Sequence, residues 1–302
     1  MKLISGLRAG HWDDPEKKRG LTVFLFEEGA RCLRLVLGGA PATRETDLLE
    51  EGKLIRKIDA LLFTGGSAFG LGAAQGVMEY LEREGKGFET GVRKVPIVPA
   101  AAIFDLGVGE ADFIPGPGEA YTACERASEA IELGRKGVGA GATVGKVLGM
   151  KYCSPGGFGA AEDLVDRYRV QVFIAVNALG NVVDPSSGEI VRGVVNPEGE
   201  GYLDAEALAT GGRIKKAFPE SNTTLALFVT DAPLSRGGLE RVAVAVHDGI
   251  ARCIRPSHTP FDGDIVFSCS LDENEVQDDY LIMRTSIVAS RLTVEAVLKA
   301  VE

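Results

Sequence analysis

The chain has 302 residues, 45% hydrophobic and 25% charged, with 33 basic against 43 acidic residues and a net charge of -10. That composition describes a globular protein with ample apolar material for a core and excludes disorder as its main theme. With no basic block, the acidic balance argues against nucleic acid or an anionic membrane as a partner.

The first eight residues carry charge but no sustained apolar run and no small-residue cleavage site, so no signal peptide is expected. The longest apolar stretches, 95–102 and 172–179, fall far short of the roughly 20 residues that span a bilayer, and the expected location is cytoplasmic. Short apolar runs at 21–26, 32–37, 60–63, 95–100, 170–176, 225–229 and 265–268 read as strands, the first two as hairpin-like neighbours. Residues 67–84 read as a helix, with Phe69, Ala73, Val77 and Leu81 at intervals of four. Further helices are expected at 121–133, 239–254 and 280–301, the second weakened by Gly249. Residues 196–222 are rich in glycine, proline and polar residues and read as a connector with one short helix at 204–209. This mixture of neighbouring strands and strand–helix alternation predicts a layered α/β fold.

Five cysteines form no CxxC pair and three histidines lie far apart, so neither a disulfide framework nor a standard zinc site is expected. Glycine is the outlier: 39 of 302 residues is about 13%, against a usual ~7%. The run Thr64-Gly65-Gly66-Ser67-Ala68-Phe69-Gly70 lies between a strand and a helix, where a backbone cradle for an anion is one reading and close helix–sheet packing the other. It lacks the G-x-G-x-x-G order of a dinucleotide loop. A second run, from Gly137 to Lys146, fails the Walker pattern because Ala140 replaces the leading glycine and Val147 follows the lysine.

At the end of the connector, Asn222-Thr223-Thr224 leads into the apolar run 225–229. By residue chemistry alone this is a turn and a strand start. The segment resembles the start of the β subunit in the DmpA-type L-aminopeptidase/D-esterase family of N-terminal-nucleophile hydrolases, peptidase family S58, which includes the nylon-oligomer hydrolases. Similar stretches in the same order are 38–47 (GGAPATRETD), 62–71 (LFTGGSAFGL), 95–101 (VPIVPAA) and 141–146 (GATVGK), so the resemblance spans nearly the whole chain.

The resemblance implies a single domain, an αββα four-layer sandwich like that of ornithine acetyltransferase. It also implies cleavage between Asn222 and Thr223 into an α chain, 1–222, and a β chain, 223–302. Thr223 would then be the nucleophile of amide and ester hydrolysis, its freed amine acting as base at a reference pKa of about 7.7–8.0. Asp262 and Asp264 correspond to the acid pair of the nylon-oligomer subgroup, whereas the peptidase branch carries a serine and a glutamate there. Lys146 and Asn177 are implied as stabilisers of the oxyanion, with Tyr152 a weaker candidate. Asp231 reads as a helix N-cap, and His258 as too isolated for a Ser-His-Asp triad. No metal or organic cofactor is implied. The expected partner is a small amide or short peptide, and the expected assembly a tetramer of processed protomers. The alternatives are an acyl transferase like ornithine acetyltransferase and a binding protein that is never cleaved.

Overall fold

The computed structural model describes residues 1–214 and 222–302; residues 215–221 of the expected connector lie outside the described residues. Nine strands form one sheet: β1 Leu7–Asp14, β2 Arg19–Val36, β3 Ala42–Arg44, β4 Lys57–Thr64, β5 Ala100–Ala102, β6 Gly157–Val165, β7 Tyr168–Asn177, β8 Thr223–Thr230 and β9 Ile265–Ser270. They run in the order β6-β7-β8-β9-β2-β4-β5-β3, with β1 also paired to β2. Only the β8–β9 and β4–β5 pairs are parallel. Parallel neighbours need a crossover, and helices supply it: α1 Ser67–Gly70 and α2 Ala74–Arg83 between β4 and β5, and α5 Arg236–Cys253 between β8 and β9. The remaining helices are α3 Pro117–Glu125, α4 Ala205–Thr210 and α6 Asp279–Ala300.

The 18-residue strand β2 turns this sheet into two layers. Its pairing with β4 shifts register between Leu25 and Ala30, where Gly29 takes a φ of 72°. Such a bulge bends a strand and increases its twist. On one side of β2, Phe24, Phe26, Ala30 and Cys32 enter a central core with Phe63, Phe158, Phe173 and Phe267. On the other, Leu21, Val23 and Leu25 pack under α2 and α3 while Leu33 packs under α5 and α6. Helix, sheet, sheet and helix follow in order, which is the αββα sandwich. Among the described residues no helix is long and apolar enough to cross a membrane.

Several expected elements are corrected. The runs 21–26 and 32–37 are not a hairpin but parts of one strand, and the hairpin partner of β2 is β1, which was not anticipated. The stretch 95–100 divides, because Pro96 and Pro99 cannot donate to a ladder: Lys94–Val95 pairs with Phe88–Glu89, and only Ala100–Ala102 joins the main sheet. The helix placed at 121–133 is Pro117–Glu125, since proline suits the first helical turn, and beyond it Ser128 and Ala130 bridge to Ala9 and Lys2. Asp231 caps no helix; it accepts from the Arg169 N–H, and Ser235 caps α5. Gly249 marks close packing, because a Cβ there would stand 2.6 Å from the Ser290 carbonyl of α6.

Candidate active site

Thr223 is the first residue of β8, buried at one end of this interior strand and directly opposite Asn177, the last residue of β7. Its hydroxyl donates to the carbonyl oxygen of Asn222 at 2.5 Å. The same oxygen accepts the Gly263 N–H at 2.9 Å. The carbonyl preceding Thr223 thus lies between the threonine hydroxyl and a backbone donor.

That donor comes from the turn before β9, which is parallel to β8 and so begins at the same end of the sheet. Asp264 Oδ1 accepts the Thr224 N–H at 2.7 Å, and its Oδ2 accepts the His258 N–H at 3.1 Å and lies 2.8 Å from His258 Nδ1. His258 reaches this double contact in the left-handed region, φ 55°, uncommon for a non-glycine residue. Asp262 Oδ2 accepts the Thr259 N–H at 2.7 Å. Burial, with the Asp264 charge adding to it, pushes Asp262 up to about 6. Burial opposes the charged form of His258, but its hydrogen bond and charge attraction to Asp264 outweigh that and leave its pKa raised. Gly38 is pressed against the turn, where a Cβ would stand 2.3 Å from the Asp262 carbonyl oxygen.

Lys146 approaches from the glycine-rich run and donates to the Asn177 carbonyl at 2.9 Å and to Asn177 Oδ1 at 2.8 Å. Its complete burial pulls the amine down to about 7, against the attraction of Asp262, Asp105 and Asp264. Asn177 Oδ1 also accepts the Thr143 N–H, and Nδ2 donates to the Phe104 carbonyl, so the amide is fixed from both ends. Lys146, Asn177, Thr223, Asp262 and Asp264 therefore gather where β7, β8 and β9 meet.

Both glycine runs converge on Asp105. The Gly66 N–H at the start of α1 donates to Asp105 Oδ1 at 2.7 Å, and a Cβ on either Gly65 or Gly141 would stand 2.4 Å from Oδ2. The anion at this helix start is the protein's own carboxylate, in a buried pair with Arg19 at 3.5 Å. The two readings of the first run meet here: its backbone holds an anion, and that anion belongs to the protein and is closely packed against the glycines. Burial pushes Asp105 up to about 6 in spite of Arg19.

The sequence model of peptidase family S58 matches residues 4–302. The chain belongs to peptidase family S58. It is 42% identical over 283 residues to an uncharacterized aminopeptidase of Mycobacterium tuberculosis, covering 88% of this chain and 79% of that one. It is 30% identical over 280 residues to the 6-aminohexanoate-oligomer endohydrolase of Paenarthrobacter ureafaciens, covering 88% and 72%. The solved L-aminopeptidase D-Ala-esterase/amidase of Ochrobactrum anthropi, described as a variant of the Ntn hydrolase fold, superposes with a TM-score of 0.74 at 16% identity over 98% of this chain and 84% of that one. A Burkholderia β-aminopeptidase gives 0.72 at 14% identity, with 98% and 84% covered. This S58 chain is a hydrolase acting on amide bonds.

In this S58 protein Tyr152 packs with Val147, Leu179 and Leu203 under Lys151. Residues missed by sequence reasoning are Gly263, which supplies the donor to Asn222, and Asp105. His258, too isolated in sequence for a Ser-His-Asp triad, contacts Asp264 through both its backbone N–H and its ring. A signal for His258 was its spacing from Asp262 and Asp264, which lets one turn fold the donors of His258 and Thr259 back onto its own carboxylates.

Proposed function

We propose that this S58 hydrolase cuts its own chain between Asn222 and Thr223 and then uses Thr223 as its nucleophile. The observation that carries the reading is the Asn222 carbonyl, held by the Gly263 N–H on the same oxygen that the Thr223 hydroxyl approaches at 2.5 Å. In the precursor, Thr223 Oγ1 attacks the Asn222 carbonyl carbon, the peptide nitrogen leaves as the Thr223 amine, and water hydrolyses the resulting ester. The Gly263 N–H stabilises the oxyanion of that step.

In the processed enzyme the freed α-amine, with a reference pKa of about 7.7–8.0, takes the Thr223 hydroxyl proton. The hydroxyl oxygen attacks the substrate carbonyl, whose oxygen takes the place left by that of Asn222. The proton passes to the departing amine, leaving an acyl-enzyme that water resolves. Asp264 fixes the strand start through Thr224, and Asp262 beside it provides a carboxylate to orient the amine. Lys146, with a pKa near neutrality, adds positive charge across the ladder through Asn177. No step calls on a metal or organic cofactor.

The names of the relatives support two substrate classes, a short peptide cut at its amino end and a 6-aminohexanoate oligomer cut at an internal amide bond. A cytoplasmic homotetramer of processed protomers completes the reading. The deciding experiment is the denatured mass of the wild type and of Thr223→Ala. Two fragments meeting at 222/223 in the wild type with one intact chain in the variant are expected; an uncleaved, active wild type overturns the proposal.

A further inference from the structure

Two of the five cysteines lie where neither the fold nor the reaction requires a thiol. Cys32 of β2 and Cys269 of β9 are register partners in the antiparallel β9–β2 ladder, with their sulfurs 2.8 Å apart. The Leu37 N–H donates to the Asp264 carbonyl, so that facing pair is hydrogen-bonded. Alternation down the ladder then makes Cys32 and Cys269 a non-hydrogen-bonded pair. The Cys32 N–H agrees, since it points away from β9 to the Arg56 carbonyl. Facing residues at such sites have Cα atoms ~4.5 Å apart, inside the ~4.4–6.8 Å range that disulfides accept. Both side chains enter the same central core, almost without exposure.

We propose that Cys32 and Cys269 are a cross-linking site, closing as a disulfide between β2 and β9 when a low-molecular-weight disulfide is the oxidant. The thiolate of one cysteine attacks the small disulfide and releases one reduced thiol. The second cysteine attacks the mixed disulfide and releases the other, so two protein thiols are oxidised and one small disulfide becomes two thiols. On the proposed cleavage at 222/223, which this consequence rests on, Cys32 belongs to the large chain and Cys269 to the small one. The bond therefore joins the two halves covalently. Burial sets its rate: the thiols are reached through opening of the sheet, and once closed the bond is shielded from reductant in the same way.

The test incubates the purified protein with oxidised glutathione a few degrees below its melting temperature. Remaining thiols are alkylated in denaturant, and the products are resolved without reductant and by mass. Three alkylated cysteines and one species with the summed mass of both fragments, separating on reduction, are expected. Cys32→Ser and Cys269→Ser each keep the fragments separate, and Cys253→Ser leaves the link intact. Five alkylated cysteines, or a link through Cys124, Cys153 or Cys253, overturn the proposal. An uncleaved chain does not obscure the result, because a reducible peptide pair containing Cys32 and Cys269 still reports the bond while the intact mass reports the failed cleavage.

Discussion

Gly263 lies so close to Thr223 that a Cβ on it would stand 2.9 Å from the Thr223 hydroxyl oxygen and 3.0 Å from the Ala40 carbonyl. Neither neighbour is the end of a long flexible side chain. Gly263→Ala therefore has to shift the turn that presents the backbone N–H to Asn222. Because single oxyanion donors are worth roughly a hundredfold or more in rate, self-cleavage in this variant is expected to slow by at least about tenfold. A time course of denatured mass after synthesis measures it. Cleavage at the wild-type rate would remove Gly263 from the scheme.

Asp262 carries a cost in the folded state at neutral pH. Its pKa is raised to about 6 from an ordinary 3.8, so it is protonated in both folded and unfolded chains well below pH 3.8 and ionised in both well above 6. The penalty on folding grows across that window and stays at higher pH. Asp262→Asn is thus expected to be more stable than the wild type above about pH 6, by no more than about 3 kcal/mol, and to lose most of that advantage near pH 4. Amide hydrolysis by the processed enzyme is expected to fall in the same variant, because the carboxylate that orients the freed amine is gone. Melting curves from pH 4 to 8 beside an amide-hydrolysis assay would check a stabilising change that impairs the reaction, a known trade-off.

His258 has the opposite sign. With its folded pKa raised above 6.5, the stability it contributes is fully present below 6.5 and is lost as pH rises through the folded value. The groups facing it are Asp264, Asp262 and the ring of His247, whose centroid is 4.8 Å away and whose burial pulls its own pKa down to about 4. His258→Gln should be destabilised most near about pH 5 and least near about pH 9, by thermal melting. A pH-independent difference would mean that the imidazole acts only by shape.

Arg19 and Asp105 are fully buried, and Arg19 is further held by the carbonyls of Lys18 and Val108. Removing one partner of a buried pair leaves an uncompensated charge, at a typical cost of 3–5 kcal/mol, so Arg19→Met is expected to lose about that much. Arg19→Met combined with Asp105→Leu should recover most of it. Urea unfolding of the three proteins decides whether this pair is a stability element or only a spacer between the glycine runs.

The cores of the long elements were legible because apolar runs and four-residue spacing survive in any context: β4, β7, β8, β9, α5 and α6 lie where the pattern puts them. The path of β2 was not, since a bulge that carries one strand through two layers looks in sequence like two strands and a turn. The candidate residues Thr223, Asp262, Asp264, Lys146 and Asn177 were named from motif resemblance, and the structure brings them to one place. What sequence could not offer was the backbone. The Gly263 N–H leaves no trace in residue type, and the partner of the glycine runs, Asp105, looks in sequence like any other loop aspartate.

Of the nine strands, only β8 and β9 follow Thr223 in the chain, and they lie side by side between β7 and β2. A large chain deprived of the small one would therefore carry a slot in mid-sheet, with two long apolar strands offering unpaired backbone to any passing strand, the condition that leads to aggregation. The two halves are consequently poor candidates for separate expression and mixing. If the proposed cleavage at 222/223 takes place, it is a late cut in an assembled sheet, and the small chain would then be a fixed insert rather than a subunit that could exchange.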